Sequence, residues 1–335
     1  MSHRLLPEKN ILEFIEALSH QGTVYYSAVI DKKRHFVRYG QEPLLVPDFS
    51  GIRTAENMKH FFLPSRDTVA RFPVDIDRRK RETLYLIGLK GCDLHGLDVH
   101  DRVFEKWEPA DPFYKDKRSN TVIISADCPE PEPTCFCNLV GGKPYGEEMC
   151  DINVTRLKNG LFFDARTDRG EAIVSDNQRL FSDAQREHEE ERDAVRRHAM
   201  QRLEEINPKG LKENLAWLIE KAPKAAIRKA RDACVECFAC LHACPTCYCF
   251  LLSDYQKGTD MERVRSWDAC YYAAYARVGG GANPRSAIDE RFWNRFQCKF
   301  NYFPQYEKKR ACSGCGRCFS GCSAKIDIRE VMQSL

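Results

Sequence analysis

Two runs of four cysteines near the C-terminus constrain this chain more than any other feature of its sequence. The runs are Cys234-x-x-Cys237-x-x-Cys240-x-x-x-Cys244 and Cys312-x-x-Cys315-x-x-Cys318-x-x-x-Cys322. Three closely spaced thiolates can bind three irons of a cubane, and the next cysteine begins a segment that leads away from it. In bacterial ferredoxins with this spacing, the fourth cysteine of each run binds the other cluster. The spacing therefore predicts two [4Fe–4S] clusters with crossed ligands.

Each predicted ligand set combines three cysteines of one run with the last cysteine of the other. The first set is Cys234, Cys237, Cys240 and Cys322. The second set is Cys312, Cys315, Cys318 and Cys244. Ser323 stands where a proline usually follows the last cysteine, which removes a rigid turn but no ligand. Zinc is the alternative, but its usual paired Cys-x-x-Cys units explain a run of three cysteines poorly.

Nine further cysteines lie outside the two runs, because the chain has 17 in 335 residues. An odd count without a secretion signal favours metal ligands in a reducing cytosol over disulfides. The net charge of +3 indicates no polyanionic partner, so we expect no nucleic-acid binding. No apolar run has the length of a membrane span. We therefore expect a cytoplasmic protein without a direct membrane span.

A repeated pentapeptide organises the remaining cysteines. Residues 133–137 read PTCFC and residues 245–249 read PTCYC. In an extended segment both cysteines of such a pair project to one face and can approach one metal centre. Two more cysteines are available for each pair, two of them directly after strand-like runs. The predicted third set is Cys92, Cys128, Cys135 and Cys137, and the fourth is Cys247, Cys249, Cys270 and Cys298.

Other interpretations of these two sets stay open. Free cysteines often pack as small buried hydrophobic side chains. Either set also has the residue types of a zinc site. Cys150 is left over once four sets are formed.

The chain divides into three predicted parts. Residues 1–180 form a mixed α/β domain with strands at 23–30, 83–90 and 121–126, where apolar runs end at turn residues. Residues 181–230 form a helical connector that is dense in charge. Residues 231–335 form an α-helical, ferredoxin-like dicluster domain, with helices predicted at 262–278 and 285–298 between the two runs. The predicted fold class is α+β.

Several segments along the chain resemble one protein family. They are GLKGCDLHGLDVHD (88–101), ADPFYKDKRSN (110–120), DCPEPEPTCFC (127–137), CPTCYCF (244–250), RSWDAC (265–270), GGGANPR (279–285) and CSGCGRCFSGCSAKIDI (312–328). This set resembles the 4Fe–4S dicluster electron-transfer subunits. That family includes the beta subunits of sulfhydrogenases, the corresponding iron–sulfur subunits of anaerobic sulfite reductases, and subunits that accompany heterodisulfide reductase. Relatives have a histidine where this chain has Cys298, which exchanges one metal-ligand side chain for another.

The resemblance implies a subunit that has no catalytic residues of its own. It would pass single electrons between a flavin/NAD(P)H-linked partner and a catalytic subunit of a cytosolic anaerobic complex, the hydrogenase type being the first choice. The alternatives are the iron–sulfur subunit of an anaerobic sulfite reductase and a heterodisulfide-reductase-associated subunit. A non-redox zinc scaffold and a chain that itself reduces substrate at an open cluster are the competing classes.

Overall fold

The computed structural model describes residues 3–73 and 82–335, and it has the mixed α/β part and the C-terminal cysteine-rich part that the sequence predicts. Strands concentrate in the first half of the chain. They are β1 (His3–Pro7), β2 (Gly22–Ile30), β3 (Lys33–Arg38), β4 (Arg66–Phe72), β5 (Thr83–Leu89), β6 (Thr121–Ala126), β7 (Ile152–Leu157), β8 (Gly160–Ala165), β9 (Ser182–Asp183), β10 (Phe250–Lys257) and β11 (Asp260–Trp267).

Most helices are short, and the longest lies in the predicted connector. They are α1 (Ile11–Ser19), α2 (Lys59–Phe62), α3 (Gly91–Asp101), α4 (Pro112–Ser119), α5 (Asp168–Asp176), α6 (Arg186–Ile206), α7 (Leu215–Lys221), α8 (Arg228–Asp232), α9 (Ala239–His242), α10 (Ile288–Gln297), α11 (Phe303–Glu307), α12 (Arg317–Ser320) and α13 (Ile328–Gln333). Within the described ranges, no helix combines the length and apolarity needed to cross a membrane.

The larger sheet has eight strands in the order β3-β2-β5-β6-β7-β8-β1-β9. Neighbouring pairs from β2 to β7 are parallel, and the outer pairs are antiparallel. The central strand β6 is buried along its whole length, as expected for a parallel strand covered on both faces. The strands predicted at 23–30, 83–90 and 121–126 are confirmed as β2, β5 and β6.

Helices cover both faces of this sheet. On one face α1 buries Ile11, Phe14, Ile15 and Leu18, whose spacing forms a single apolar stripe on a helix. On the other face α3 places Leu94 and Leu97 in a second core. The carboxyl ends of β5 and β6 therefore open beside α3, at the kind of sheet edge where α/β proteins place their sites.

A smaller antiparallel sheet, in the order β10-β11-β4, joins the N-terminal part to the insert between the cysteine runs. The helix predicted at 262–278 is wrong, because residues 260–267 form the central strand of this sheet. Its charged side chains pair across strands, Arg263 with Asp254 at 2.8 Å and Arg71 with Glu262 at 3.0 Å. The first pair lies within the β10–β11 hairpin, whereas Arg71 and Glu262 are distant in sequence. The helix predicted at 285–298 is confirmed as α10.

Candidate iron–sulfur centres

All four cysteines of the first set line one cavity. Its walls include Cys234, Cys237, Cys240 and Cys322 together with Cys318 of the second set. Tyr271 and Phe292 supply apolar walls. Cys237 is exposed, so one wall of this cavity reaches the protein surface.

The two cysteine loops share an unusual backbone. In the first loop Glu236 and Phe238 have positive φ angles of 51° and 60°, and in the second Gly314 and Gly316 have 63° and 71°. These residues stand two and four positions after the first cysteine of each run. Left-handed residues alternating along a loop turn successive N–H groups into an anion-binding concavity, an arrangement found at many iron–sulfur sites. The two loops thus have matching local geometry despite different residues.

The second set is buried throughout. Cys312, Cys315, Cys318 and Cys244 are each at most 8% exposed. Lys299 donates from Nζ to Cys244 Sγ at 3.3 Å, to Thr246 Oγ1 at 2.7 Å and to the Ala311 carbonyl at 3.0 Å. Lys299 lies in a π-helical turn (Cys298–Tyr302) that continues α10, and such turns are frequent at functional sites.

The third set converges where the sequence predicts it. Cys92, which follows β5, and Cys128, which follows β6, line a single cavity with Cys135 and Cys137. Burial raises the pKa of the Cys128 thiol to about 12. Helix α6 covers this site, because Leu203 packs against both Cys135 and Cys137. The connector helix is therefore more than a solvated linker.

The fourth set is brought together in part. The Cys249 and Cys270 side chains hydrogen-bond to each other, and the Cys298 sulfur lies close enough to both to act on them electrostatically. The Tyr248 hydroxyl lies 3.7 Å from Cys298 Sγ. The Cys247 side chain instead hydrogen-bonds to Cys244 of the second set. Cys150 stands apart in the core between the sheet and α3, where it contacts Ser125.

Two buried cations have sulfur atoms as their nearest opposite charges. Burial alone would lower the pKa of Lys299, but the Cys244 and Cys247 sulfurs raise it well above its usual value. Arg295 is 6% exposed and hydrogen-bonds to Cys318, and the Cys240 and Cys318 sulfurs raise its pKa. Within residues 3–73 and 82–335, no carboxylate is among the groups that most affect the pKa of either cation.

This charge pattern fits metal-bound sulfur. An unpaired buried cation costs several kcal/mol, so the sulfurs beside Lys299 and Arg295 need to carry negative charge. Burial, however, raises the pKa of Cys240 to about 11 and that of Cys312 to about 12, so these two free thiols would stay neutral at physiological pH. Cys244 differs, because its hydrogen bond to Cys247 and the nearby Lys299 charge lower its pKa. Iron binding would supply this negative charge, because cysteine binds metal as the thiolate. The residues present therefore fit iron–sulfur clusters.

In the part of the chain that the structure describes, no three His, Cys, Asp or Glu side chains are grouped to hold a metal ion. A cubane is wider than one ion and its ligands stand further apart.

Comparison with known proteins shows two similarities. Residues 233–326 match the family model described as a 4Fe–4S dicluster domain. This segment of the chain is therefore similar to 4Fe–4S dicluster domains. It is similar over nearly its whole length to sulfhydrogenase 2 subunit beta of Pyrococcus furiosus, with 29% identity over 329 residues, 96% of this chain and 95% of the relative. This similarity supports the family resemblance found in the sequence motifs.

Sequence reasoning missed the buried cations around the sulfurs. Lys90, for example, is 1% exposed and donates to the carbonyls of Phe49 and Asp127 at 3.0 and 2.8 Å. Arg53 donates to the Cys315 carbonyl from 262 residues away. A signal was present for Lys90, which directly follows the apolar strand β5, and for Arg295 and Lys299 beside aromatic residues and a cysteine. Nothing in the local sequence marks Arg53.

Proposed function

We propose that this chain relays single electrons between a flavin/NAD(P)H-linked partner and a catalytic subunit of a cytoplasmic anaerobic oxidoreductase complex of the hydrogenase type. The observation that carries the proposal is the contiguity of the cysteine sites. The cavity that the first set lines also includes Cys318 of the second set. The cavity that the third set lines also includes Cys315 of the second set. Sites that share walls are suited to passing electrons from one to the next.

We further propose that the first and second sets each bind a [4Fe–4S] cluster, and that the third and fourth sets bind two more. When bound, such a cluster accepts and releases one electron at a time. The chain's own residues hold the sulfurs, exclude water from them and surround them with fixed charge. The boundaries 1–180, 181–230 and 231–335 are part of this proposal.

The choice of complex rests on similarity. The relative from Pyrococcus furiosus is by name the beta subunit of a sulfhydrogenase. Within the class, the alternatives are the iron–sulfur subunit of an anaerobic sulfite reductase and a heterodisulfide-reductase-associated subunit. Anaerobic affinity purification from the native organism tests this choice, because we expect a flavoprotein and a hydrogenase catalytic subunit to co-purify.

A spectroscopic experiment separates the relay from the other classes. The anaerobically purified chain is expected to be brown, with broad absorbance that bleaches when dithionite is added. A colourless, zinc-loaded chain would instead identify a non-redox scaffold. Turnover of sulfite or NAD(P)H by the isolated chain would show that it is the catalyst rather than the relay.

A further inference from the structure

The second set of cysteines lies between the other three sets, and a different cysteine reaches each neighbour. We propose, resting on the relay function proposed above, that this set is a three-way junction. A gap separates the second set from each of its three neighbours. We also propose that a buried cation in each of these gaps raises the reduction potential of the cluster bound at the junction. The three cations are Arg295, Lys299 and Arg53.

The gap toward the first set contains Arg295. Cys318 of the second set lines the first cavity beside Cys240, and Arg295 lines it too. Arg295 hydrogen-bonds to Cys318, and its charge acts on Cys240 in the same cavity. Its Nε is buried with no hydrogen-bond partner among the described atoms. The guanidinium therefore stands between sulfurs of two sets.

The gap toward the third set contains Arg53. Cys315 of the second set lines the third cavity, and the Phe136 N–H donates to the Gly314 carbonyl at 2.8 Å. A Cβ on Gly314 would lie only 2.5 Å from the backbone of Cys137, so the two loops are in direct contact. Arg53 is 7% exposed, lines the same cavity and donates to the Cys315 carbonyl.

The gap toward the fourth set contains Lys299. Cys244 of the second set hydrogen-bonds to Cys247, and the Lys299 ammonium donates to Cys244 at 3.3 Å. Cys298, the neighbour of Lys299 in the chain, belongs to the fourth set and faces Cys249. Lys299 is 3% exposed, so solvent does not screen its charge.

The chemistry follows from charge. Reduction adds one negative charge to a cluster, and a fixed positive charge nearby stabilises the reduced form, which raises the potential. Each transfer oxidises the cluster of one set by one electron and reduces that of the next by one. Partner subunits supply and remove these electrons. A site flanked by three cations and three neighbours is where electrons from several routes collect.

Redox titration followed by electron paramagnetic resonance tests the junction on the full chain purified anaerobically. The variants are Arg295→Met, Lys299→Met and Arg53→Met, with Lys212→Met as an exposed control. We expect each gap variant to shift two midpoint potentials to more negative values. One of those potentials should shift in all three variants, because all three cations border the same set. The Lys212→Met potentials should match the wild type.

The iron content of every variant is also measured, so that loss of a cluster can be told apart from a shift of its potential. If iron is complete and no single potential shifts in all three variants, the junction is overturned while the relay stands. If a methionine variant loses iron, the glutamine variant at that position is titrated instead, since glutamine keeps a donor without the charge. Iron loss from both, with iron kept by Lys299→Arg, Arg295→Lys or Arg53→Lys, supports a required cation. A wild-type chain without signals would refute the relay itself.

Discussion

Individual residues in the two cysteine loops show how one backbone shape arises from different sequences. In the second loop the left-handed positions are Gly314 and Gly316, for which positive φ carries no steric penalty. In the first loop they are Glu236 and Phe238, which adopt such angles only at a cost of about 1–2 kcal/mol each. Phe238 packs edge-on against Tyr272, at 4.6 Å between ring centroids. Cysteine spacing alone predicts that both loops bind clusters, but not that the first one is strained.

Replacement of a single ligand tests the crossed assignment. Cys322→Ser should lower the iron content by about one cluster, because Cys322 shares its cavity with Cys234, Cys237 and Cys240. Cys150→Ala is the matched control, since Cys150 lies in a separate apolar core. Iron and sulfide assays on both anaerobically purified variants provide the measurement. Equal iron content in the two variants would contradict the assignment of Cys322.

A buried ion pair makes the stability of the chain sensitive to one arginine. Arg317 Nη1 lies 2.8 Å from Asp93 Oδ1, with the two side chains 3% and 1% exposed. Arg317→Met leaves the Asp93 charge buried and unpaired, which should cost about 3–5 kcal/mol of unfolding free energy. Urea denaturation measures this loss. Arg186→Met, which breaks an exposed pair with Glu190, should cost less than about 1 kcal/mol, and a similar loss in both variants would contradict the argument.

At the scale of elements, the sequence predicts well where burial is continuous and poorly where partners are distant. Strands β5 and β6 are apolar runs buried on both faces, so their sequences identify them. Cys92 and Cys128, which follow their carboxyl ends, line one cavity. Strand β11 has a mixed polar sequence, and it becomes a strand because β4 and β10 pair with both of its edges. β10 is joined to it by a tight turn at Gly258, but β4 lies far away in the sequence and cannot be inferred from local periodicity.

The contact between the second cysteine loop and the PTCFC segment depends on one glycine. Gly314→Ala places a Cβ against the backbone of Cys137 at 2.5 Å and also strains a residue with φ of 63°. We expect the free energy of unfolding of this variant to fall by at least about 2 kcal/mol, and we expect the variant to lose iron from the third site. Gly141→Ala is the matched control, because Gly141 has a φ of 84° but open space around its Cβ position. Chemical denaturation with an iron assay compares the two variants, and equal effects would show that strain alone matters.

At the scale of the whole molecule, the cysteine sites hold together parts that are far apart in the chain. Arg317 of the second loop donates to the carbonyls of Thr54 and Glu56, and strand β4 pairs with the insert between the runs. Lys299 and Arg295 are buried against sulfur. The fold of both parts is therefore linked to the charge on the sulfurs.

Removal of the clusters should destabilise the entire chain rather than one loop. Once iron is lost, the Cys240 thiol beside Arg295 becomes neutral, because burial raises its pKa to about 11, and Arg295 loses this counter-charge. Losing such a partner costs about 3–5 kcal/mol per buried charge, so the apo chain should unfold at a markedly lower urea concentration. Circular dichroism before and after anaerobic chelation measures this shift. An apo chain with an unchanged midpoint would contradict the role assigned to the sulfurs.

The count of iron and acid-labile sulfide in the anaerobically purified chain tests the central claim most directly. Four cysteine sets that each bind a cubane predict about sixteen of each per chain, and a relay with one fewer site predicts about twelve. A count near eight would leave only the two clusters of the crossed runs and would contradict a relay that extends through the third and fourth sets.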